Sequence, residues 1–263
     1  MSRAAAMTLP RIVQAEILDG LAAGDPRAQR SRRDLVRVHR AMGTRAILRK
    51  ALRGLRLERA SEPLRILELG AGDGNLLLRL ARDLAPGWPR VELTLLDRQP
   101  LVAAATIAGF AQLGWTVRAV VADALDWAQS GAAARQVIEM KSAAAGPWQL
   151  IVANLFLHHF SSVELSRLLP AIAARSERVV ACEPRRARLA LVGSHLLGAI
   201  GAGAVTREDA VLSVHAGFRG EELSTLWRTQ CAAKGGEKDA GWRLAEYPAG
   251  LFSHCFVAER EPG

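Results

Sequence analysis

The chain has 263 residues, 50% of them hydrophobic and 23% charged, with a formal net charge of +9. That is enough apolar material to bury a core without disulfides or metal, and it excludes global disorder. Cys182, Cys231 and Cys255 form no CxxC pair, which argues against a secreted disulfide framework and for a reducing compartment. Met1–Pro10 lacks the apolar run of a signal peptide, so the cytoplasm is the expected location.

The charge is concentrated at one end. Residues 1–64 hold 14 Lys and Arg against 6 Asp and Glu, while the rest hold 21 against 20. A basic arm suits nucleic acid, an acidic partner or an anionic membrane surface. This one has almost no aromatics to stack on bases, so a solvated helix face is expected and no nucleic-acid partner. Leu9–Leu21 places Ile12, Val13, Ile17 and Leu18 at helical spacing. Pro26 opens a second helix after a Gly24-Asp25 break, and Gly43-Thr44 divides the apolar stripe Leu35, Val38, Met42, Ile47, Leu48.

From Leu64 the pattern alternates. Strands are expected at 64–70, 91–97, 116–123, 148–156 and 178–184, and helices at 75–85, 101–114 and 162–176. Such alternation means βαβ units and a parallel sheet covered on both faces. Residues 220–235 read as a helix, and 242–260 as two antiparallel strands about a turn at Pro248-Ala249-Gly250. The intervening segment 185–217 is a long insertion of the kind that forms lids. Its Leu189–Thr206 stretch has 18 residues without a charge, but four glycines, Ser194 and His195 interrupt it. A membrane span needs ~20 predominantly apolar residues, so a buried or pocket-lining segment is expected.

The chemistry-bearing residues lie at strand ends. Glu68 precedes Gly70-Ala71-Gly72-Asp73-Gly74, where a strand runs through glycines into a helix. The spacing is GxGxG rather than the GxGxxG that presents a helix N-terminus to a pyrophosphate, and a carboxylate at Glu68 suits a cationic ligand group. That speaks against a dehydrogenase. Asp97 ends the second strand, where an acid accepts from ribose hydroxyls. Asp123 ends the third, where an acid can accept from an adenine amine or simply cap a helix. His158 and His159 follow the fourth strand, and a histidine there can take a proton near neutral pH. Adjacent side chains seldom point the same way, so one histidine, His158, is expected to face a substrate. His195, Arg207, Asp209 and His215 lie in the insertion, and Arg207 or Arg219 could pair with an acidic group on an acceptor.

ILELGAGDG, LTLLD, VVADALDW and LIVANLFLHHF, in that order, resemble the motifs of class I S-adenosylmethionine-dependent methyltransferases over residues 62–184. LFLHHF is similar to the ending found in small-molecule members of the ubiquinone/menaquinone-like group, and VTREDAVLSVHAGFRGEEL (205–223) resembles a segment of bacterial natural-product and quinone members. The resemblance implies a Rossmann-like, doubly wound α/β sheet of seven strands, mostly parallel with the last antiparallel. It implies an N-terminal helical extension (1–60) ahead of a methyltransferase domain (61–263) with its lid at 185–217. It implies S-adenosylmethionine as cofactor, with Glu68, Gly70, Ala71 and Gly72 at its methionine end. Asp97 then takes the ribose, Arg98 lies along the adenine, Asp123 and Ala124 meet the adenine, and Asn154 adjoins the cofactor. His158 and His159 become the catalytic candidates toward a small hydrophobic phenol, enol, quinol or polyketide-like acceptor, with O-methylation favoured. No metal site is expected, because the acids of a magnesium-dependent catechol type cannot be assembled. An RNA or protein methyltransferase using the basic arm, and an inactive partner subunit, remain as alternatives. A homodimer is compatible with the sequence.

Overall fold

A computed structural model describes residues 9–55, 62–130, 148–231 and 241–261. The chain start (1–8), the 60/61 boundary, most of the alanine-rich connector (131–147) and residues 232–235 of the expected last helix lie outside them. In chain order the elements are α1 (Ile17–Gly20), α2 (Pro26–Met42), α3 (Thr44–Arg53), β1 (Leu64–Leu69), α4 (Asn75–Leu84), β2 (Val91–Asp97), α5 (Ala104–Ala111), β3 (Trp115–Val121), α6 (Ala124–Gln129) and β4 (Leu150–Asn154). There follow α7 (Ser162–Ala174), β5 (Arg178–Pro184), α8 (Arg188–His195), α9 (Ala204–Ala216), α10 (Glu222–Cys231), β6 (Trp242–Ala249) and β7 (Ser253–Arg260).

The strands form one seven-stranded sheet in the order β3-β2-β1-β4-β5-β7-β6. The first five are parallel, and β7 runs antiparallel to both β5 and β6. Every residue of β1 is buried, as a parallel strand covered on both faces requires. Alternate residues serve opposite faces. Leu67, Leu69, Ile151 and Ala153 join one apolar cluster, whereas Ile66, Leu150 and Val152 join the other. The register Leu69↔Leu96 and Leu69↔Ala153 brings the carboxyl ends of β1, β2 and β4 to one edge, with β5 beside them through Asn154↔Cys182.

The N-terminal helices cover the sheet and the pocket. Asp25 accepts from the Arg27 N–H, Pro26 opens α2, and Gly43 at φ 68 ends it. Leu48, Ala51 and Leu52 of α3 enter the core cluster that holds β1 and β2 residues. Asp34 of α2, fully buried, accepts from the Gly203 N–H (2.7 Å) and the Thr206 hydroxyl (3.2 Å), which ties α2 to α9.

One expectation is corrected. Leu9–Leu21 is helical only over Ile17–Gly20. The Ile12 N–H donates to the His215 carbonyl, and the Ile17 and Leu18 N–H groups donate to the Asp209 carboxylate at 2.7 and 3.0 Å. Arg11 donates to the carbonyls of Ala216 and Phe160. These tertiary bonds take the groups a longer helix would use, and they override the periodicity. The uncharged 189–206 stretch lines the cavity, as expected, through Ala190, Ser194, Leu197 and Thr206, with Leu196 and Ile200 at once cavity-lining and exposed and Leu189 and Val192 exposed outside it. Among the described residues no helix is long and apolar enough to cross a membrane.

Candidate functional site

The carboxyl edge of the sheet opens into a cavity of about 910 Å³, roofed by α1, α2, α8 and α9. On its β1 side the chain turns through Gly70, Gly72 and Gly74, all at positive φ. Gly70 is required twice over: its φ is 66°, and a Cβ there would lie 2.2 Å from the Phe156 ring. At Gly72 a Cβ would meet nothing, so this part of the loop faces open cavity. The Gly72 N–H donates to Asp97 Oδ2 (2.8 Å) and the Gln99 N–H to Asp97 Oδ1 (2.9 Å), so the end of β2 holds the loop of β1 in place. Asp123 caps α6 by accepting from the Leu125 N–H (2.7 Å).

Glu68 stands apart from these acids. It is buried, and its Oε2 has no hydrogen-bond partner. Burial, and then the neighbouring charges of Asp73 and Asp97, push its carboxyl well above the usual carboxylate range. On the same edge of the sheet Asn154 Oδ1 is also buried, without a partner among the described residues. Two such acceptor atoms on one wall can take donors from a ligand.

The other end of the cavity is built around Glu183. Leu155 at φ 49 is the one non-glycine residue at positive φ among those described. This turn aims the N–H groups of Phe156 (3.1 Å), Leu157 (2.9 Å) and His158 (3.3 Å) at the fully buried Glu183 carboxylate. His158 Nδ1 donates to the same carboxylate at 2.8 Å, so Nε2 is the nitrogen that faces Glu16, at 3.3 Å. Burial works against charge on His158, but the hydrogen bonds to Glu16 and Glu183 outweigh it and raise the imidazole to about 9. His159 Nδ1 lies 3.2 Å from Asp19.

The expected site residues Glu68, Gly70, Ala71, Gly72, Asp97, Arg98, Asp123, Ala124, Asn154, His158 and His159 all line this one cavity. Three details differ from the sequence reading. Both histidines reach the cavity, with ring centroids 4.2 Å apart, because they lie in a tight helical turn over Leu157–His159 rather than along a strand. Arg98 donates to the Asp19 carbonyl (3.1 Å) of the N-terminal segment. Arg207 and Arg219 do not line the cavity, and Arg219 pairs with Glu222 instead. Sequence reasoning missed Glu16, Asp19 and Glu183. Glu183 carried a usable signal, an acid at the end of a buried strand beside the other strand-end acids. Glu16 and Asp19 carried none, being brought in by the extended N-terminal segment from more than 130 residues away.

No protein-family model matches the chain, and no curated protein matches it by sequence. Solved structures do match. The plantazolicin methyltransferase BamL, in complex with a triazolic desmethylPZN analog and SAH, is 12% identical, with 92% of each chain covered and a TM-score of 0.56. BpumL, in complex with the same analog and SAH, is 14% identical, covering 90% of this chain and 92% of its own, also at 0.56. The chain has the fold of the class I S-adenosylmethionine-dependent methyltransferases. In this methyltransferase fold the Gly70–Gly74 loop and the acids Asp97 and Asp123 take the ends of the first three strands, and the histidines follow the fourth.

Proposed function

We propose that the protein is an S-adenosylmethionine-dependent methyltransferase acting on a small hydrophobic acceptor, a phenol, enol, quinol or polyketide-like molecule, by O-methylation. The observation that carries this is Glu68: a buried carboxylate with an oxygen unpartnered among the described residues, beside a glycine loop open to the cavity. That arrangement fits the ammonium group of the cofactor's methionine end, and a bound cation would restore the ionised form that burial opposes. Asp97 has lone pairs left for ribose hydroxyls, Asp123 and Ala124 adjoin the adenine, and Asn154 offers its free Oδ1. Bound S-adenosylmethionine supplies a methyl group on a positively charged sulfur.

The acceptor hydroxyl meets the chain at His158 and His159. Leu35, Val38, Phe156, Phe160 and Phe252 give the cavity apolar wall for its body. Glu183 fixes the His158 ring and leaves Nε2 toward the acceptor. Glu16 keeps that nitrogen protonated, so His158 takes the acceptor's proton only once Glu16 has moved off it. The 185–217 segment acts as lid, with Ala190, Ser194 and Thr206 on its inner side. Nucleic acid is not part of this reading. Arg11, Arg32, Arg37 and Arg45 of the basic arm bond to carbonyls, Gln99, Asp34 and Asp83 of their own chain, and salt-insensitive acceptor turnover is expected where phosphate binding would fall steeply with salt.

The test is incubation with methyl-labelled S-adenosylmethionine and a panel of small phenols, enols and quinols, followed by mass spectrometry. A methyl ether on at least one aromatic or enolic acceptor supports the reading. Transfer only to RNA or to protein refutes the acceptor class.

A further inference from the structure

The histidine end of the cavity gathers three carboxylates around two imidazoles. Glu16, Asp19 and Glu183 converge on His158 and His159, with Arg98 3.5 Å from Asp19 and Arg11 interacting with Glu183. The two rings are tilted against each other with centroids 4.2 Å apart. One ligand atom each from Glu16, His158 and His159 lie within 4.8 Å of one another. A divalent cation between them would take one lone pair from each neutral imidazole and an oxygen from Glu16.

We propose that Glu16, His158 and His159 bind a divalent metal ion. The outer contacts are those such a site needs. Metal-ligating histidines commonly donate their second ring N–H to a carboxylate, which fixes the tautomer and aims the ligating lone pair. His158 does this through Nδ1 to Glu183, which three backbone N–H groups hold in turn. Asp19 stands beside His159 as a further oxygen donor. Two imidazoles with one or two carboxylates select a first-row ion such as Zn²⁺, Fe²⁺ or Mn²⁺ over Mg²⁺ or Ca²⁺, which prefer all-oxygen shells. Tetrahedral ligand atoms at Zn²⁺ bond lengths lie about 3.3 Å apart, so the set must contract by up to about 1.5 Å. Glu16 sits in extended backbone just ahead of the four-residue α1, and His159 is only partly buried, so both can move.

The site deepens the reading above, on which its use depends. Three protein ligands leave a coordination position toward the cavity, where an acceptor hydroxyl can bind. An ion held there would polarise that hydroxyl and ease loss of its proton, which would pass to solvent water rather than to His158, whose Nε2 would then be a ligand. Binding of the ion itself rests on the residues alone.

The experiment uses the full chain, stripped with chelator and titrated with ZnCl2, MnCl2 and MgCl2, with bound metal counted after gel filtration. About one equivalent of Zn²⁺ is expected and none of Mg²⁺. Glu16→Gln and His159→Ala should each weaken Zn²⁺ binding by 10-fold or more, and Glu183→Gln by about 10- to 100-fold. Co²⁺ in place of Zn²⁺ should show visible d–d bands without the near-ultraviolet thiolate band that Cys231 or another cysteine would give. Stabilisation by S-adenosylmethionine is measured on the same samples. If it persists while no Zn²⁺ binds, the metal inference fails and the methyltransferase reading stands. Zn²⁺ binding that Glu16→Gln and His159→Ala both leave unchanged, or a thiolate band, overturns the site.

Discussion

The cavity has two ends that handle negative charge in opposite ways. At the glycine-loop end, Glu68 is buried with a free oxygen, and its neighbours Asp73 and Asp97 only add to the repulsion. At the histidine end, Glu183 is buried deeper still, yet three N–H groups and an imidazole hold it. A buried carboxylate with its donors in place is part of the fold, whereas one without them marks where a ligand must provide them. The first end therefore waits for a cation from outside against Glu68, whereas at the second Glu183 has its donors from the chain itself.

The two ends should come apart most sharply on mutation of their buried acids. Glu183→Ala strands three backbone N–H groups and His158, and a loss of roughly 3–5 kcal/mol is expected in a denaturant midpoint. Glu68→Ala removes an unpaired acid and should leave the folded state as stable as before or more so. Equal losses for both would erase the distinction. His158→Ala should lower turnover by ~100-fold or more with cofactor affinity unchanged; full turnover in both His158→Ala and His159→Ala would mean that neither ring takes part. Gly70→Ala should lose about 1–3 kcal/mol from backbone strain and the contact with Phe156, and a melting point equal to that of the native chain would show that the loop has slack.

The electrostatics of His158 set a smaller, pH-dependent effect. Its folded value near 9 lies above the ordinary histidine value of about 6.5. Its contribution to stability is therefore fully present below pH ~6.5 and is lost as pH rises through 9. In chelator, the stability difference between the native chain and His158→Gln should shrink over that window. A difference that grows from pH 6.5 to 9 would contradict the Glu16–His158–Glu183 arrangement.

The same two ends differ in how far they can be read from sequence. Glu68, Gly70, Gly72, Asp97 and Asp123 lie within a few residues of strand ends, so their motifs and their place in space coincide. The histidine end is assembled over long separations. Glu16 meets His158 because Asp209 holds the Ile17 and Leu18 N–H groups and Arg11 holds the Phe160 carbonyl, and no local pattern encodes those contacts. The helix expected at Leu9–Leu21 failed for the same reason. The parallel strands and the antiparallel final pair were legible because apolar runs, turn residues and strand–helix alternation are local signals.

The central claim is that the Glu68 end binds S-adenosylmethionine, and a thermal melt in its presence tests this most directly. A ligand at ~100 times its dissociation constant adds about 2.7 kcal/mol, which for a chain of this size raises the melting temperature by roughly 5–10 °C. We expect that rise with S-adenosylmethionine or its demethylated product, and its loss in Glu68→Ala. No rise at millimolar ligand in the native chain would contradict the account.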